Sequence, residues 1–467
     1  MGQNKEEKLK KQWSSIAKKH LSDLSDLPKD CVFHKGSGQK LSIENFILGF
    51  FLMVLSKGNS LNHWAMQIGT LCDNVLSKQG LSKKLQMRVE YFIRQLLLVV
   101  LRRQLQYSHE GQSADKTDKT DKTQSKGLLS IFPNVYLEDS TCMKVPDNLS
   151  KYLPSSYSKN KECATARIQV CLNLKSSHLT DISVQSYRDN DQKHAPHIVK
   201  LLKKGDLVIR DLGYCVLSVF KTIIVVQAFF LSRLRLDITI YKQDEPQLPL
   251  DLCKYLRKCE INGQTQVDFN VFAGKKERLP ARFVALKLPQ AVANEKRRKA
   301  NNNRDKRCSP NADSLYLMGW AIFLTNVTIE VWNALDLPKV YRMRWRIEII
   351  FKTWKSHFDF GHIFQAHSMT YPRALISFYL LLLFIILFFV QWFDYFTTKI
   401  QENSKEKTVW LSIFKFADWV TIAFYDICNA FLDNNLDLMV QKVQHFCAYD
   451  KRNRPNDAQT LYYFFNG

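Results

Sequence analysis

Apolar residues recur at three- and four-residue steps over Leu41–Leu55, Asn62–Leu76 and Leu81–Leu105. That period predicts three amphipathic helices at the start of the chain. Breaks at Lys57-Gly58-Asn59 and Gln79-Gly80 separate them, and Arg88, Arg94, Arg102 and Arg103 stand among the leucines and valines of the third. Such helices suit a small DNA-binding bundle or a helical cap on a larger domain. The period then changes. Thr165–Leu174 and Leu179–Tyr187 alternate apolar and polar positions as strands do, and Val135–Leu137 leads into Glu138-Asp139-Ser140-Thr141. His197–Lys204 reads as a short helix closed by Gly205. Leu207–Ile209 is then a buried strand delivering Arg210-Asp211-Leu212-Gly213-Tyr214. A helix and the strand Phe229–Leu234 follow, then strands at Val267–Phe272, Arg282–Leu288 and Trp320–Leu324, with helices dominating from about Ile329. Strands interleaved with helices in this order predict a mixed sheet covered by helices, an α/β architecture.

Ala374–Val390 (ALISFYLLLLFIILFFV) is a run of seventeen residues interrupted only by Ser377 and Tyr379. At about 1.5 Å per residue it would reach ~25 Å, short of a ~30 Å hydrocarbon core. A central helix buried on every side is the expectation here, and no membrane association. The segment His109–Lys126 is the opposite case, with three tandem copies of Asp-Lys-Thr and no large apolar side chain. It cannot offset its ordering entropy and reads as a linker.

Charge narrows the function. The chain of 467 residues has 67 Lys and Arg against 44 Asp and Glu, a net +23. An excess of that size favours a polyanionic partner, nucleic acid ahead of an anionic membrane. Lys296–Arg307 concentrates it, with seven basic residues and one acid. Eleven scattered cysteines without a Cys-x-x-Cys pair indicate reduced thiols. The lysine-rich first thirty residues lack the apolar core of a secretory signal, and the expected location is the bacterial cytoplasm, with the nucleoid.

The residues that suggest chemistry lie between Val340 and His357. On an uninterrupted helix, with each residue advancing about 100°, Tyr341, Arg344, Glu348, Lys352 and Lys355 fall within about 80° of one another. Met343, Ile347, Ile350, Phe351 and Trp354 form the opposing apolar stripe. A solvated face with Arg344–Glu348 and Glu348–Lys352 pairs would look the same. Two aspartates placed beyond expected strand ends, Asp139 and Asp211, point further. Metal-assisted phosphoryl transfer needs hard oxygen ligands from several elements, and two aspartates with a helical glutamate supply them.

The spacing Tyr341-x2-Arg344-x3-Glu348-x6-Lys355 resembles the signature of the insertion-sequence-four family of bacterial DDE transposases. Asp139-Ser140-Thr141, Arg210-Asp211-Leu212-Gly213-Tyr214 and Leu324-Thr325-Asn326-Val327 match its other marks in the same order, over about residues 130–395. The resemblance implies an RNase H-like core with a catalytic, metal-binding triad of Asp139, Asp211 and Glu348. It implies two Mg²⁺ ions, with Mn²⁺ as a substitute, and Tyr341, Arg344, Lys352 and Lys355 against DNA phosphates. Water would release a 3′-OH at the element end; that hydroxyl would cut the other strand as a hairpin and then join target DNA. The implied partners are double-stranded DNA, as terminal inverted repeats and target, and a second copy of the chain in a homodimer. Trp320 is a candidate for trapping a flipped base. A catalytically inactive, transposase-derived DNA-binding protein is the alternative, against which the intact triad stands.

The expected organisation is a helical DNA-binding region over 1–107, a linker over 108–127 and the core in two parts, 128–240 and 311–399. A mostly β insertion at 241–310 separates the parts, and a helical region spans 400–467.

Overall fold

The computed structural model describes residues 27–28, 30–33, 41–72, 75–114, 127–156, 162–302, 310–366, 369–403, 409–433, 435–450 and 455–466. The Asp-Lys-Thr repeat and the end of the basic run, 303–307, lie outside them. Among the described residues one mixed sheet carries the fold. Its strands are β1 (Val135–Val145), β2 (Ala164–Asn173), β3 (His178–Ser186), β4 (Leu207–Arg210), β5 (Phe229–Arg233), β6 (Ile240–Lys242), β7 (Gln266–Ala273), β8 (Leu279–Lys287) and β9 (Trp320–Thr325). They lie in the order β3-β2-β1-β4-β5-β9-β8-β7-β6. β1, β2 and β3 form an antiparallel meander, whereas β4 pairs parallel with β1, and β5 parallel with β4. That order and sense, 3-2-1-4-5, is the RNase H-like core.

Residues along each strand alternate between two apolar layers, as the two-residue period of a strand requires. Val135, Leu137, Ile209, Leu231 and Phe323 belong to one layer; Tyr136, Val208, Phe230, Ile322 and Leu324 belong to the other. Both faces are therefore covered, which explains the near-continuous apolar runs of β4 and β9.

The first helices are α1 (Ile43–Leu55), α2 (Leu61–Leu71), α3 (Lys78–Lys84) and α4 (Met87–Ala114). Ser42, Ser60 and Ser77 cap the first three by accepting from Asn45, His63 and Gly80 backbone N–H groups. α4 runs to Ala114, so the first residues of the expected linker continue the helix. These helices do not stand apart as a separate bundle; they share one apolar cluster with the rest of the chain. α5 (Leu217–Val225) packs on the sheet, α6 (Leu252–Ile261) adds Leu256 and Cys259 to the apolar cluster there, and α7 (Gln290–Asn301) follows β8 in the chain. The insertion expected to be mostly β thus holds α6 and α7 alongside β7 and β8, and its strands extend the core sheet. β9 makes that join, because Thr325 pairs with Leu231 of β5 on one side and Arg282 of β8 on the other.

The chain then forms α8 (Asp336–Arg342), α9 (Trp345–Lys352), α10 (Tyr371–Phe384), α11 (Gln391–Asn403), α12 (Ile413–Leu432) and α13 (Asp437–Cys447). α10 passes through a π-helical stretch, Ile385–Val390, into α11. Its apolar run is enclosed by protein: 89% of the most apolar stretch between Tyr371 and Asn403 is buried. Phe51 of α1 packs edge-on against Phe384 and Phe388, while Phe424 of α12 meets Phe388 and Trp392 from another side. A helix apolar all round is explained by that enclosure.

Candidate active site

Parallel pairing of β1 and β4 places Glu138 opposite Arg210. One residue further along both strands stand Asp139 and Asp211, side by side at the carboxyl edge of the parallel pair. Alternation puts both on the layer of Leu137 and Ile209, where α8 and α9 pack. Asp139 is not beyond a strand end, as the sequence led us to expect. β1 continues to Val145 in antiparallel pairing with β2, and Asp139 sits mid-strand opposite Val170. Only β4 stops, so the meander side of β1 keeps Asp139 rigid while Asp211 begins the turn Leu212–Tyr214.

Val340–His357 is not the uninterrupted helix expected from its periodicity. Met343, Arg344, Arg346 and Ile347 N–H groups each donate to the carbonyl three residues earlier, at 3.0–3.2 Å. The chain tightens there before α9, and a π turn over Thr353–His357 ends it. In 3₁₀-type geometry, side chains three apart eclipse, which aligns Tyr341 with Arg344. Met343, Ile347, Phe351 and Trp354 are buried as the expected core stripe, and Ile350 is half-buried.

The result is one cluster. The Tyr341 hydroxyl donates to Asp211 Oδ1 at 3.1 Å. Arg344 Nη1 donates to Asp139 Oδ2 at 2.8 Å and Nη2 to Glu348 Oε1 at 2.6 Å, while Nε lies 3.5 Å from Asp211 Oδ1. All three expected carboxylates therefore converge on one guanidinium. Burial pushes the Asp139 carboxyl up to about 6, with Asp211 and Glu348 adding to the rise, against Arg344 and the Ser140 N–H. Tyr341 is likewise raised, by burial first and then by Asp211. Burial opposes the charge on Arg344, but Asp211, Tyr341, Asp139 and Glu348 outweigh it and hold the guanidinium protonated.

Three hard oxygen donors on three elements are the ligand chemistry of a divalent ion such as Mg²⁺. Among the described residues no three such side chains are spaced as a ready-made metal site. The guanidinium sets their spacing and supplies the positive charge between them.

Lys352 and Lys355 are exposed further along the helix. The Lys352 ammonium lies 5.0 Å over the Phe414 ring, and Lys355 acts electrostatically on Cys142, further along β1. Trp320 cannot receive a base: it is 2% exposed in β9, opposite Lys287. The strand period alone would have pointed it inward.

Several supporting residues were missed from sequence because only tertiary register assembles them. Asp191 Oδ1 accepts from Ser140 Oγ at 2.8 Å, Arg167 Nη1 at 2.9 Å and Gln169 Nε2 at 3.1 Å. The Tyr214 hydroxyl in turn donates to Gln169 Oε1. A Cβ on Gly213 would stand 2.8 Å from Asp191 Oδ2, so glycine permits that approach. On the other sheet face Arg210 and Glu138 form an ion pair at 2.5 Å, 0% and 3% exposed. Asn326 accepts from the Phe230 N–H and donates to the Ala228 carbonyl, fastening β9 to β5. The residues around both aspartates and Asn326 thus hold the strands that carry the site.

Known proteins are similar to this chain in sequence. The chain is 26% identical over 303 residues to the transposase for insertion sequence element IS231F of Bacillus thuringiensis subsp. israelensis, covering 62% of this chain and 60% of that protein. It is 26% identical over 361 residues to the IS231C transposase of Bacillus thuringiensis subsp. berliner, covering 74% and 72%. It is 22% identical over 360 residues to the IS1151 transposase of Clostridium perfringens, covering 73% and 72%. A distant structural likeness, at TM-score 0.42 and 9% identity, extends to a piggyBac transposase synaptic complex with hairpin DNA, covering 96% of this chain and 87% of that one. The family described as Transposase DDE domain matches residues 131–382, more than half of the chain. This chain belongs to the transposase DDE-domain family.

Proposed function

We infer that the chain is a DNA transposase that cuts and joins insertion-sequence ends by metal-dependent phosphoryl transfer. The observation that carries this reading is the convergence of Asp139, Asp211 and Glu348 on one cationic group. A divalent ion, Mg²⁺ or Mn²⁺ and two of them in this reading, would be held by those carboxylates and would supply Lewis-acid stabilisation of the attacking and leaving oxygens. The chain's own residues do the rest. β1 carries one carboxylate and the end of β4 delivers the second beside it, while α9 brings the third. The Tyr341 hydroxyl orients Asp211. Arg344, once released from the carboxylates, has a planar fork suited to a phosphodiester. Lys352 and Lys355 extend the cationic face along the strand being cut. The DNA partners are the terminal inverted repeats and the target, with two protomers pairing two ends.

The test is cleavage of duplex DNA carrying the sequences that flank the gene, with Mg²⁺ and with EDTA. Wild-type chain should nick at the element boundary only with the metal. Asp139→Ala, Asp211→Ala and Glu348→Ala should each abolish nicking while binding that duplex. Cleavage by Glu348→Ala at the wild-type rate would remove it from the triad, and metal-independent cleavage would overturn the reading.

A further inference from the structure

The strand ladder stops one residue short of the site. Pairing of β4 with β1 ends at Glu138–Arg210, and its pairing with β5 ends at Arg210–Ser232. Asp211 therefore stands outside both ladders. It opens the turn Leu212–Tyr214, where the Tyr214 N–H donates to the Asp211 carbonyl at 3.0 Å. Asp139, by contrast, is held within the β1–β2 ladder opposite Val170. Two carboxylates that share an ion need a fixed separation, and the sheet by itself fixes only one of them.

The missing constraint lies on the other side of the sheet. Alternation turns Ser140, and Gln169 opposite it on β2, away from Asp139 and toward the layer that holds Tyr136 and Tyr214. Asp191 opens the short helix Asp191–His194 that follows β3, and it meets them there. Its Oδ1 accepts from Ser140 Oγ at 2.8 Å, from Arg167 Nη1 at 2.9 Å and from Gln169 Nε2 at 3.1 Å. The Ser140 N–H donates to Asp139 Oδ1 at 2.8 Å, which links Asp191 to the first carboxylate through one residue. Toward the second there are two links. Gln169 accepts from the Tyr214 hydroxyl, and both side chains are 1% exposed. Asp191 Oδ2 also lies so near Gly213 that a Cβ there would stand 2.8 Å from it. One carboxylate thus braces the residue after Asp139 and the turn after Asp211. Three donors on Oδ1 and the crowding at Oδ2 suit it to bracing rather than to holding an ion.

We propose that Asp191 is a positioning residue that sets the separation of Asp139 and Asp211, and through it the affinity of the site for a divalent cation. The inference rests on reading those two aspartates as metal ligands. Ser140, Gly213 and Tyr214, which flank the aspartates in the sequence, acquire a common role as members of the network around Asp191.

The test is Mn²⁺ titration of the full, DNA-free chain followed by electron paramagnetic resonance. Asp191→Ala should weaken Mn²⁺ binding by about 10–100-fold, the range for loss of an outer partner of a metal ligand. Asp191→Asn keeps an oxygen for Ser140 and Gln169 and should retain most of the affinity. Gly213→Ala keeps the Asp191 charge but drives a Cβ against its carboxylate, and should weaken binding in the same direction. In the Asp191→Ala background that substitution should cost far less, because the atom it strikes is gone. Asp268→Ala breaks a buried ion pair with Arg282 in the insertion and serves as the control for general loosening. Affinity for Mn²⁺ that is unchanged in Asp191→Ala, or lowered no more than in Asp268→Ala, overturns the inference. Equal losses in Asp191→Ala and Asp191→Asn also overturn it, since charge alone would then account for the effect. Cleavage of the flanking-sequence duplex in Mg²⁺ is read in parallel. Wild-type cleavage with no Asp191 effect on Mn²⁺ overturns the brace alone. The expected Mn²⁺ pattern without wild-type cleavage upholds the brace and overturns the enzyme reading, and a wild-type chain that binds no Mn²⁺ overturns both.

Discussion

Arg344 occupies the space between the three carboxylates, and any divalent ion they bind must displace it. The perturbation is Arg344→Ala. In the free protein the guanidinium makes two short bonds, 2.8 Å to Asp139 and 2.6 Å to Glu348, and a weaker 3.5 Å approach to Asp211. A hydrogen bond to a charged group contributes about 1.5–3 kcal/mol. The Glu348 and Asp211 side chains are 44% and 40% exposed, so their share is discounted for screening. The Asp139 bond, between groups 16% and 13% exposed, keeps most of its worth. Displacement therefore costs an entering ion about 2–3 kcal/mol, and at about 1.4 kcal/mol per factor of ten its removal should tighten divalent binding by roughly thirty- to a hundredfold. The assay is Mn²⁺ titration of DNA-free protein followed by electron paramagnetic resonance. Arg346→Ala serves as the charge control, because its side chain lines a cavity with Trp354, Phe389 and Asp394 away from the cluster. Arg344→Ala should bind Mn²⁺ more tightly than wild type while cutting DNA poorly. Affinity that is unchanged, or no higher than in Arg346→Ala, would refute the displacement argument.

Tyr341→Phe removes one hydrogen bond to Asp211 and little volume; cleavage should slow by about five- to tenfold, for a loss near 1 kcal/mol, with duplex affinity unchanged in a filter-binding assay. The Asp139 carboxyl, raised to about 6 from its ordinary 3.8, makes the folded protein bind more protons than the unfolded chain between those values. Its contribution to stability therefore falls as pH rises from about 4 to 6, and the rise in Tm caused by added Mg²⁺ should grow over that window. A Mg²⁺ effect that is flat from pH 4 to 7 would contradict this. Arg210→Ala leaves Glu138 buried without its partner and should lower unfolding free energy by about 3–5 kcal/mol in urea denaturation. A loss under about 1 kcal/mol would mean that water replaces the guanidinium.

Much of this protein was legible in its one-dimensional pattern. The two-residue period located the strands from Thr165 to Leu324, and the three- and four-residue period located α1 and α2; the single third helix expected over Leu81–Leu105 is instead divided at Leu85-Gln86 into α3 and α4, and the break expected at Gln79-Gly80 lies inside α3. The motifs around Asp139, Asp211 and Glu348 identified three carboxylates that the fold brings together. The apolar run after Ala374 lies in a continuous helix, Tyr371–Asn403, long and apolar enough to cross a membrane, and it is the enclosure of that helix by protein that marks it as a core helix. Local pattern carries the periods and the motifs because they depend on neighbours a few residues away.

What the tertiary structure decided depends on register and on packing between distant segments. No local signal announces that Glu138 pairs with Arg210, and that pairing sets Asp139 and Asp211 side by side. The break at Met343–Arg344 is invisible to a 100° wheel, which presumes the helix it draws; packing of Val340, Met343 and Ile347 into the core accompanies the tighter turn that eclipses Tyr341 and Arg344. The helices of the insertion were hidden for a different reason. α7 buries only Ala293, so its sequence is almost wholly polar and reads as a loop. Sequence periodicity reports which face of an element is apolar; which elements meet, and in what register, is settled by the pairing of the sheet.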